Sequence, residues 1–481
     1  MDPAFAQGEG HLVCDNSKII LTLQQAAGAR ARIPCCLARF ILLSLLLVTC
    51  ADCSPHAPSS IRETAQATEL IVKGTQPVIV DVWFHAAASP QRLVVQQALQ
   101  TFNATREDIR IALVELPEED YNEQVQRAAS GAAIAGDLPC LLDFDGPYVY
   151  SYVWDGLLIP LDDYVSDEMK EDFLPTIIAQ GTYQDGKLYS LGQYDAGLAI
   201  WGNREYLEKA GVRLATVDNP WTREEFEQAL EKLQALREVE YALDLKMNYD
   251  LNLEFYAYAF SPILQSFGAD LIHRGDYQSA EGVLNGDEAV AAMEMVQGWF
   301  EKGYVNPDPP GDTEFINGKA ALSWVGHWAW APYRASLGDD LILLPMPDFG
   351  QGPKTGMGSW NWGITSRCEH PDAAWQVLEF MLDPDLLLRQ SDASGTIPAR
   401  RSALAQSELY GPGGPLRLYV EQIEAGYAVP RPITPAYPTI SSAFTRAFNN
   451  IARGADVKSE LDDAVREIDQ DIQAHQGYPL E

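Results

Sequence analysis

Residues 356–381 read GMGSWNWGITSRCEHPDAAWQVLEFM. Trp360 and Trp362 stand among Gly356, Gly358 and Gly363, a short apolar run follows, and a helix opens at Pro371. Proline suits the first helical position, where its missing N–H costs no hydrogen bond. Glycine lets a backbone turn sharply, so the stretch poses a question: what are two indole rings doing where the chain changes direction?

Outward from it, the same strand-then-helix texture returns. PVIVDVWF (Pro77 to Phe84) predicts a strand, and Ser89 and Pro90 cap a helix whose Val95, Ala98, Leu99 and Phe102 share one face. IRIALVEL (Ile109 to Leu116), a helix over Tyr121 to Ser130 and the strand LPCLLDF (Leu138 to Phe144) complete a strand–helix–strand–helix–strand run. That alternation implies a parallel sheet covered on both faces. Beyond Asp195 helices dominate. WTREEFEQALEKLQAL carries a capping box, Thr222 with Glu225, ahead of the stripe Phe226, Ala229, Leu230 and Leu233. Two C-terminal helices break at Gly454, and the last presents Leu461, Val465, Ile468 and Ile472 on one side. With 481 residues the chain is long enough for two α/β lobes.

The N-terminus is of another kind. Arg30, Arg32 and Arg39 precede an apolar run from Phe40 to Val48. Such a run is too short for a bilayer core of about 30 Å but suits the apolar stretch of an export signal. Leu47-Val48-Thr49-Cys50 resembles a bacterial lipobox, with Cys50 the lipidated residue, although Thr49 replaces the usual small residue and Cys53 is a weaker alternative. Residues 1–53 are therefore expected to be leader and lipoprotein-type signal, and 54–75 a flexible tether rich in Pro, Ser, Ala and Thr. Five of the seven cysteines lie in the leader; Cys140 and Cys368 remain, either bonded in an oxidising compartment or two separate buried thiols.

A net charge of −34 repels phosphate, which argues against nucleic acid and against a basic grip on anionic lipid. Catalytic signatures are missing: there is no GxSxG, HExxH or P-loop, and no GxGxxG after a strand. Histidines do not pair at metal-ligand spacing, and Asp143-Phe144-Asp145-Gly146 starts like a calcium loop without its later oxygen ligands. Neither cofactor nor metal is expected. Aromatic and acidic residues instead gather where segments end or turn. These are Trp83 and His85 after the first strand, Asp143 and Asp145 after the third, Tyr194 and Asp195, Trp324, Trp328 and Trp330, then Trp360 and Trp362. Flat rings cover the C–H faces of a sugar while carboxylates bind its hydroxyls. Each ring on its own is more economically read as core packing, and each aspartate as a helix cap.

In order along the chain come DGKLYSLGQYDAGLAIWGNREYLEKAGV, WTREEFEQAL, FINGKAALSWVGHWAW, the opening stretch, SGTIPARRSAL and RPITPAYPTISSAFTRAFNNIARG. This succession resembles the extracytoplasmic sugar-binding proteins of bacterial ABC importers, the maltose- and trehalose-binding group, from about Val78 to His475. The resemblance implies an α/β, two-lobe periplasmic-binding-protein fold with three crossing segments and a central ligand cleft. The crossings fall near Gln193 to Gly197, Gly356 to Ile364 and Gly395 to Ala399. The N-terminal lobe would hold 76–194 and 360–396, the C-terminal lobe 195–359 and 397–481. Carried over residue by residue, the solute contacts would be Asp143 or Asp145, Tyr194, Asp195, Tyr256, Trp328, Trp360, Trp362 and Tyr437.

The implied protein is a monomeric, lipid-anchored carrier, not an enzyme, that passes a carbohydrate to permease subunits. Two alternatives stay open: the same scaffold binding a polyol, glycerophosphodiester or oligopeptide, and an exported glycoside-processing enzyme. Few cleft cations are expected, Arg334 and Arg400 being the ones that keep a phosphate-bearing solute in play.

Overall fold

The computed structural model describes residues 76–85, 89–117, 121–130, 138–249, 253–358 and 360–479. The leader, the tether and the proposed lipidation site Cys50 lie outside the described residues. Along the chain the strands are β1 (Val78–His85), β2 (Ile109–Leu116), β3 (Leu141–Asp145), β4 (Leu191–Gly192), β5 (Tyr194–Asp195), β6 (Leu198–Asn203), β7 (Tyr241–Asp244), β8 (Ala320–Gly326), β9 (Leu341–Leu344), β10 (Thr355–Met357), β11 (Trp360–Ile364), β12 (Ile397–Pro398) and β13 (Ala428–Pro430).

The first lobe is built on the sheet β2-β1-β3-β11-β4. β1 runs parallel to both β2 and β3, as the strand–helix alternation implies, and β11 joins antiparallel, Trp360 opposite Asp145 and Ile364 opposite Leu141. One face packs helix Ser89–Thr105 and helix Pro371–Met381, with Val95, Phe102, Trp375 and Leu378 buried among Val80, Phe84 and Ile364. The other face buries Trp83, Tyr121, Phe144, Tyr148 and Tyr152. Cys140, just before β3, and Cys368, just after β11, are disulfide-bonded with their Cα atoms 4.3 Å apart. Of the two sequence readings, the pair therefore replaces the separate thiols. The antiparallel contact of β3 with β11 is what brings the two cysteines together.

The second lobe centres on the sheet β7-β8-β6-β9, with β8 antiparallel to β6 and parallel to β7. Its helices follow local signals. Helix Arg223–Gln234 starts on the Thr222–Glu225 capping box and buries Phe226, Ala229, Leu230 and Leu233. Helix Val457–Ala474 starts on the Asp456 side chain and buries Leu461, Val465, Ile468 and Ile472. These pack, with helix Tyr437–Ala452, into one continuous core with Trp299, Trp324 and Phe260.

Two small sheets lie where the chain passes between the lobes. β5, following β4 and preceding β6, pairs with β12, Tyr194 opposite Pro398 and Asp195 opposite Ile397. β10, leading into β11, pairs with β13. These segments place Tyr194, Asp195, Trp360 and Arg431 at the seam between the lobes.

Candidate functional site

The carboxyl ends of parallel strands are where open α/β sheets collect ligands. Here β1 ends in His85 and β3 in Asp143-Phe144-Asp145. Asp143 is fully buried and bonded on both oxygens: the His85 backbone N–H donates at 3.1 Å, and His85 Nδ1 lies 2.6 Å from Oδ2. Gln193 Nε2 adds a longer contact at 3.4 Å. Trp360, half-buried, lies flat on the His85 ring with centroids 3.6 Å apart and meets the Tyr121 ring edge-on at 5.5 Å. The first lobe's side of the seam is thus an indole fixed by stacking, over an aspartate fixed by a histidine.

Across the seam stands Arg431, directly after β13. Its Nη2 donates to Asp145 Oδ1 at 2.9 Å, and Nη1 donates to Asp145 Oδ2 at 3.3 Å and to Glu254 Oε1. Glu254, on helix Leu253–Phe267, also accepts from the Tyr437 hydroxyl at 2.6 Å and from Ser441 Oγ at 3.0 Å. One guanidinium therefore serves two buried carboxylates, one from each lobe. Burial raises the Asp145 carboxyl above its ordinary range despite Arg431, and burial pushes Glu254 up to about 7, Arg431 opposing and Asp145 reinforcing. Burial works against the charge of Arg431, but the two carboxylates hold its pKa well above the usual value. The Arg431 guanidinium also lies 5.1 Å over the Tyr258 ring.

The crossing segments are braced by Asp195. It is fully buried; Thr176 Oγ1 donates to Oδ2 at 2.6 Å, while the N–H groups of Ala196 and Gly358 donate to Oδ1 at 2.8 and 3.2 Å. Burial nevertheless raises its carboxyl, the three donors opposing. The glycines of the opening stretch now have reasons. A Cβ on Gly356 would sit 2.6 Å from the Tyr258 carbonyl oxygen. Gly358 has φ +125°, and a Cβ there would meet Arg431 Nη2 and Gln180 Nε2 at 2.6 Å.

Trp328 follows the end of β8, in the short turn His327–Ala329. Its ring folds back over Gly326, where an added Cβ would strike it at 2.1 Å. It meets Phe255 edge-on at 6.3 Å, Tyr258 at 6.1 Å and His327 at 5.4 Å. Tyr194 approaches the His327 ring edge-on at 5.7 Å. His327 is buried, neither ring nitrogen has a partner among the described residues, and burial pushes its pKa down to about 3. The Tyr258 hydroxyl and Arg431 Nε are likewise buried and unpartnered among the described residues.

Most expected contact residues gather here: Asp143, Asp145, Trp360 and Tyr437 around Arg431 or His85, Tyr194 with Trp328 around His327, and Asp195 on β5 bonded to Thr176, Ala196 and Gly358. Two lie elsewhere. Tyr256 sits in the second lobe's core, stacked edge-on against Phe260 and Phe448 with its hydroxyl on the Met247 carbonyl. Trp362 lies on Phe84 in the first lobe's core and is fully buried. The cation of the seam is neither of those expected: Arg334 pairs with Asp339 on the surface, and Arg400 with Asp172. Sequence reasoning missed Arg431, Glu254, Tyr258 and His327. A cavity of about 280 Å³ lined by Asn203, Phe315, Asn317, Ser336 and Asp340 shares no residue with the seam.

Two α/β lobes joined by crossing strands, with charged and aromatic side chains meeting at the seam, define a two-lobe solute-binding protein. The profile of the bacterial extracellular solute-binding protein family matches residues 97–410, and the chain belongs to that family. It is 22% identical over 385 residues to a lipoprotein of Streptomyces antibioticus, covering 77% of this chain and 78% of that one. It is 22% identical over 342 residues to a maltotriose-binding protein of Pyrococcus abyssi, covering 69% and 68%. Among solved structures, a cyclic α-maltosyl-1,6-maltose binding protein from Arthrobacter globiformis superposes with a TM-score of 0.65 at 23% identity, covering 83% of this chain and all of that one. That likeness carries the two-lobe fold. Among the described residues, no helix is long and apolar enough to cross a membrane.

Proposed function

We propose that this protein is the solute-binding component of an ABC importer and captures a carbohydrate, a di- or oligosaccharide, between its lobes for delivery to membrane permease subunits. The observation that carries the reading is the chemistry of the seam. Trp360 and Tyr437 stand beside Asp145 and Glu254, Arg431 joins those two carboxylates, and Tyr194 and Trp328 flank His327, with the buried polar atoms of His327 and Tyr258 left unpaired among the described residues. Ring faces bury sugar C–H groups at about 25 cal/mol per Å², and well-made bonds from charged groups to hydroxyls contribute about 1.5–3 kcal/mol each. The sugar names carried by the maltotriose- and maltosyl-maltose-binding relatives point the same way.

In this reading no bond is cleaved. Residues 76–194 with 360–396 close on 195–359 with 397–481 about the crossing segments, and the closed form is what the permease meets. Cys50 carries a lipid that tethers a monomer outside the cytoplasm, in keeping with the lipoprotein of Streptomyces antibioticus. The charge of −34 leaves nucleic acid out.

Isothermal titration against glucose, maltose, maltotriose, trehalose and mannobiose tests this. One or more sugars should be captured stoichiometrically and recovered unchanged after long incubation. Silence from all of them, with folded protein, would overturn the carbohydrate assignment, and turnover products would move it to an enzyme. Trp328→Ala should weaken capture by about 1–3 kcal/mol through loss of a buried stacking face; unchanged affinity would make that ring structural.

A further inference from the structure

We propose that His327 is a specificity-determining residue of this site, pairing through its ring nitrogens with an uncharged hydroxyl of the captured solute. The inference rests on the carbohydrate reading above and adds which hydrogen-bonding group the second lobe is built to recognise.

The backbone leaves β8 at Gly326 and turns at once, so His327 enters a box of rings. Tyr194 stands at 5.7 Å, Trp328 at 5.4 Å and Tyr419 at 6.4 Å, all near perpendicular to it. Only 1% of the residue is exposed, yet neither Nδ1 nor Nε2 has a partner among the described residues. An uncharged imidazole carries one N–H and one lone pair. Burying both unpaired costs more than an apolar ring of the same shape would.

Its neighbourhood shares the property. Tyr258, whose ring packs on Trp328, has an unpaired hydroxyl, and Arg431, over the Tyr258 ring, has an unpaired Nε–H. His327 and Tyr258 flank the Trp328 indole and Arg431 lies over the Tyr258 ring, and together the three groups offer both donors and acceptors. A hydroxyl both donates and accepts, so it matches an imidazole that does the same. A carboxylate or phosphate only accepts and would leave the imidazole lone pair unpaired. An ammonium only donates and would leave the imidazole N–H unpaired. The solute class that fits is therefore neutral and polyhydroxylated, with its hydroxyl edge toward His327. Burial supports this by holding the imidazole uncharged.

The experiment uses whichever sugar of the titration panel binds most tightly. His327→Phe should raise its Kd by about tenfold or more, the scale of one to two lost hydrogen bonds. The same variant should melt at an equal or higher temperature, since a buried orphan pair is gone. His327→Gln keeps a donor and an acceptor and should stay within about threefold of wild type. A Kd for His327→Phe within twofold of wild type overturns the assignment while leaving sugar binding intact. Binding of no sugar by the wild-type protein removes the carbohydrate reading itself. If the phenylalanine variant does not fold, ¹⁵N imidazole resonances of the wild-type protein decide: they should shift on sugar addition, and unmoved resonances overturn the proposal.

Discussion

The polar groups that end β3 and those that follow β8 are treated differently. On the first lobe, Asp143 is held by His85 and Asp145 by both terminal nitrogens of Arg431. On the second, His327, the Tyr258 hydroxyl and Arg431 Nε are buried with nothing to bond among the described residues. Unmade buried hydrogen bonds are costly, so native proteins keep them few. Neither lobe is uniform, since Gln193 Oε1 and the Tyr121 hydroxyl on the first are unpaired among the described residues too, and Glu254 on the second is bonded on both oxygens. The difference lies between the aspartates that end β3, already set in place, and the imidazole that follows β8, left open. Arg431 joins the two sides, which makes it the first place to break the comparison.

Arg431→Ala should give the largest effect. It leaves Asp145 and Glu254 buried side by side with no cation between them, a loss on the order of 3–5 kcal/mol in unfolding free energy. Adding Asp145→Asn and Glu254→Gln removes the stranded charges and should recover most of that loss. Denaturant unfolding of the single and triple variants measures both; if the single variant loses under 1 kcal/mol, the triad is a surface-like pairing.

Next is the first lobe's covalent brace. Cys140–Cys368 ties β3, which carries Asp143 and Asp145, to β11, which carries Trp360, across 228 residues of chain. Cys368→Ser should cost about 2–4 kcal/mol of stability, chiefly by freeing the unfolded chain. Sugar affinity should change little, because the β3–β11 pairing remains. A large loss of affinity with unchanged unfolding would instead make the bond a positioning element.

How much of this was legible in the sequence follows from how local each signal is. The Thr222–Glu225 box and its stripe name a helix on their own, whereas the crossing near Gly356 to Ile364 is implied by the family resemblance rather than by its glycines and tryptophans. Arg431 carries no such local mark. It opens a stretch that reads as a family signature, yet its partners lie 286 and 177 residues away, and only the fold makes it central. Tyr256 and Tyr258 show the same limit on one helix. Apolar residues surround both, so no periodicity says that Tyr256 faces the core and Tyr258 the seam. Trp360 and Trp362, two residues apart on β11, divide likewise between His85 at the strand end and Phe84 in the core. The histidine was invisible for a different reason: an unpaired atom is a property of everything around it.

The seam should also respond to pH with a definite sign. Glu254 has an ordinary value near 4.5 and is pushed up to about 7 in the folded protein, so the folded state keeps a proton that the unfolded chain releases. Its contribution is full below about 4.5 and fades as pH rises through about 7, on the order of 3 kcal/mol in total. Asp145 and Asp195, both raised by burial, act in the same direction. Unfolding free energy should therefore decline between pH 5 and pH 8, and Glu254→Gln should flatten that slope. A rising slope across the window would reverse the assignment.

The smallest expected effect separates bracing from binding at Asp195. Thr176 Oγ1 is the hydrogen-bond donor to its Oδ2, whereas Oδ1 accepts from two backbone N–H groups. Thr176→Val keeps the side chain's shape and strands that one oxygen, which should cost about 1–2 kcal/mol of stability. If Asp195 only ties the crossing segments together, sugar affinity should hold within about twofold, because Ala196 and Gly358 still fix the carboxylate. If the carboxylate also reaches the solute, an oxygen freed from Thr176 is a better acceptor, and affinity should rise while stability falls. Opposite signs in the two readouts would place Asp195 beside His327 among the groups that complete their bonding on capture; loss of stability alone would leave it with Asp143, fixed before any solute arrives.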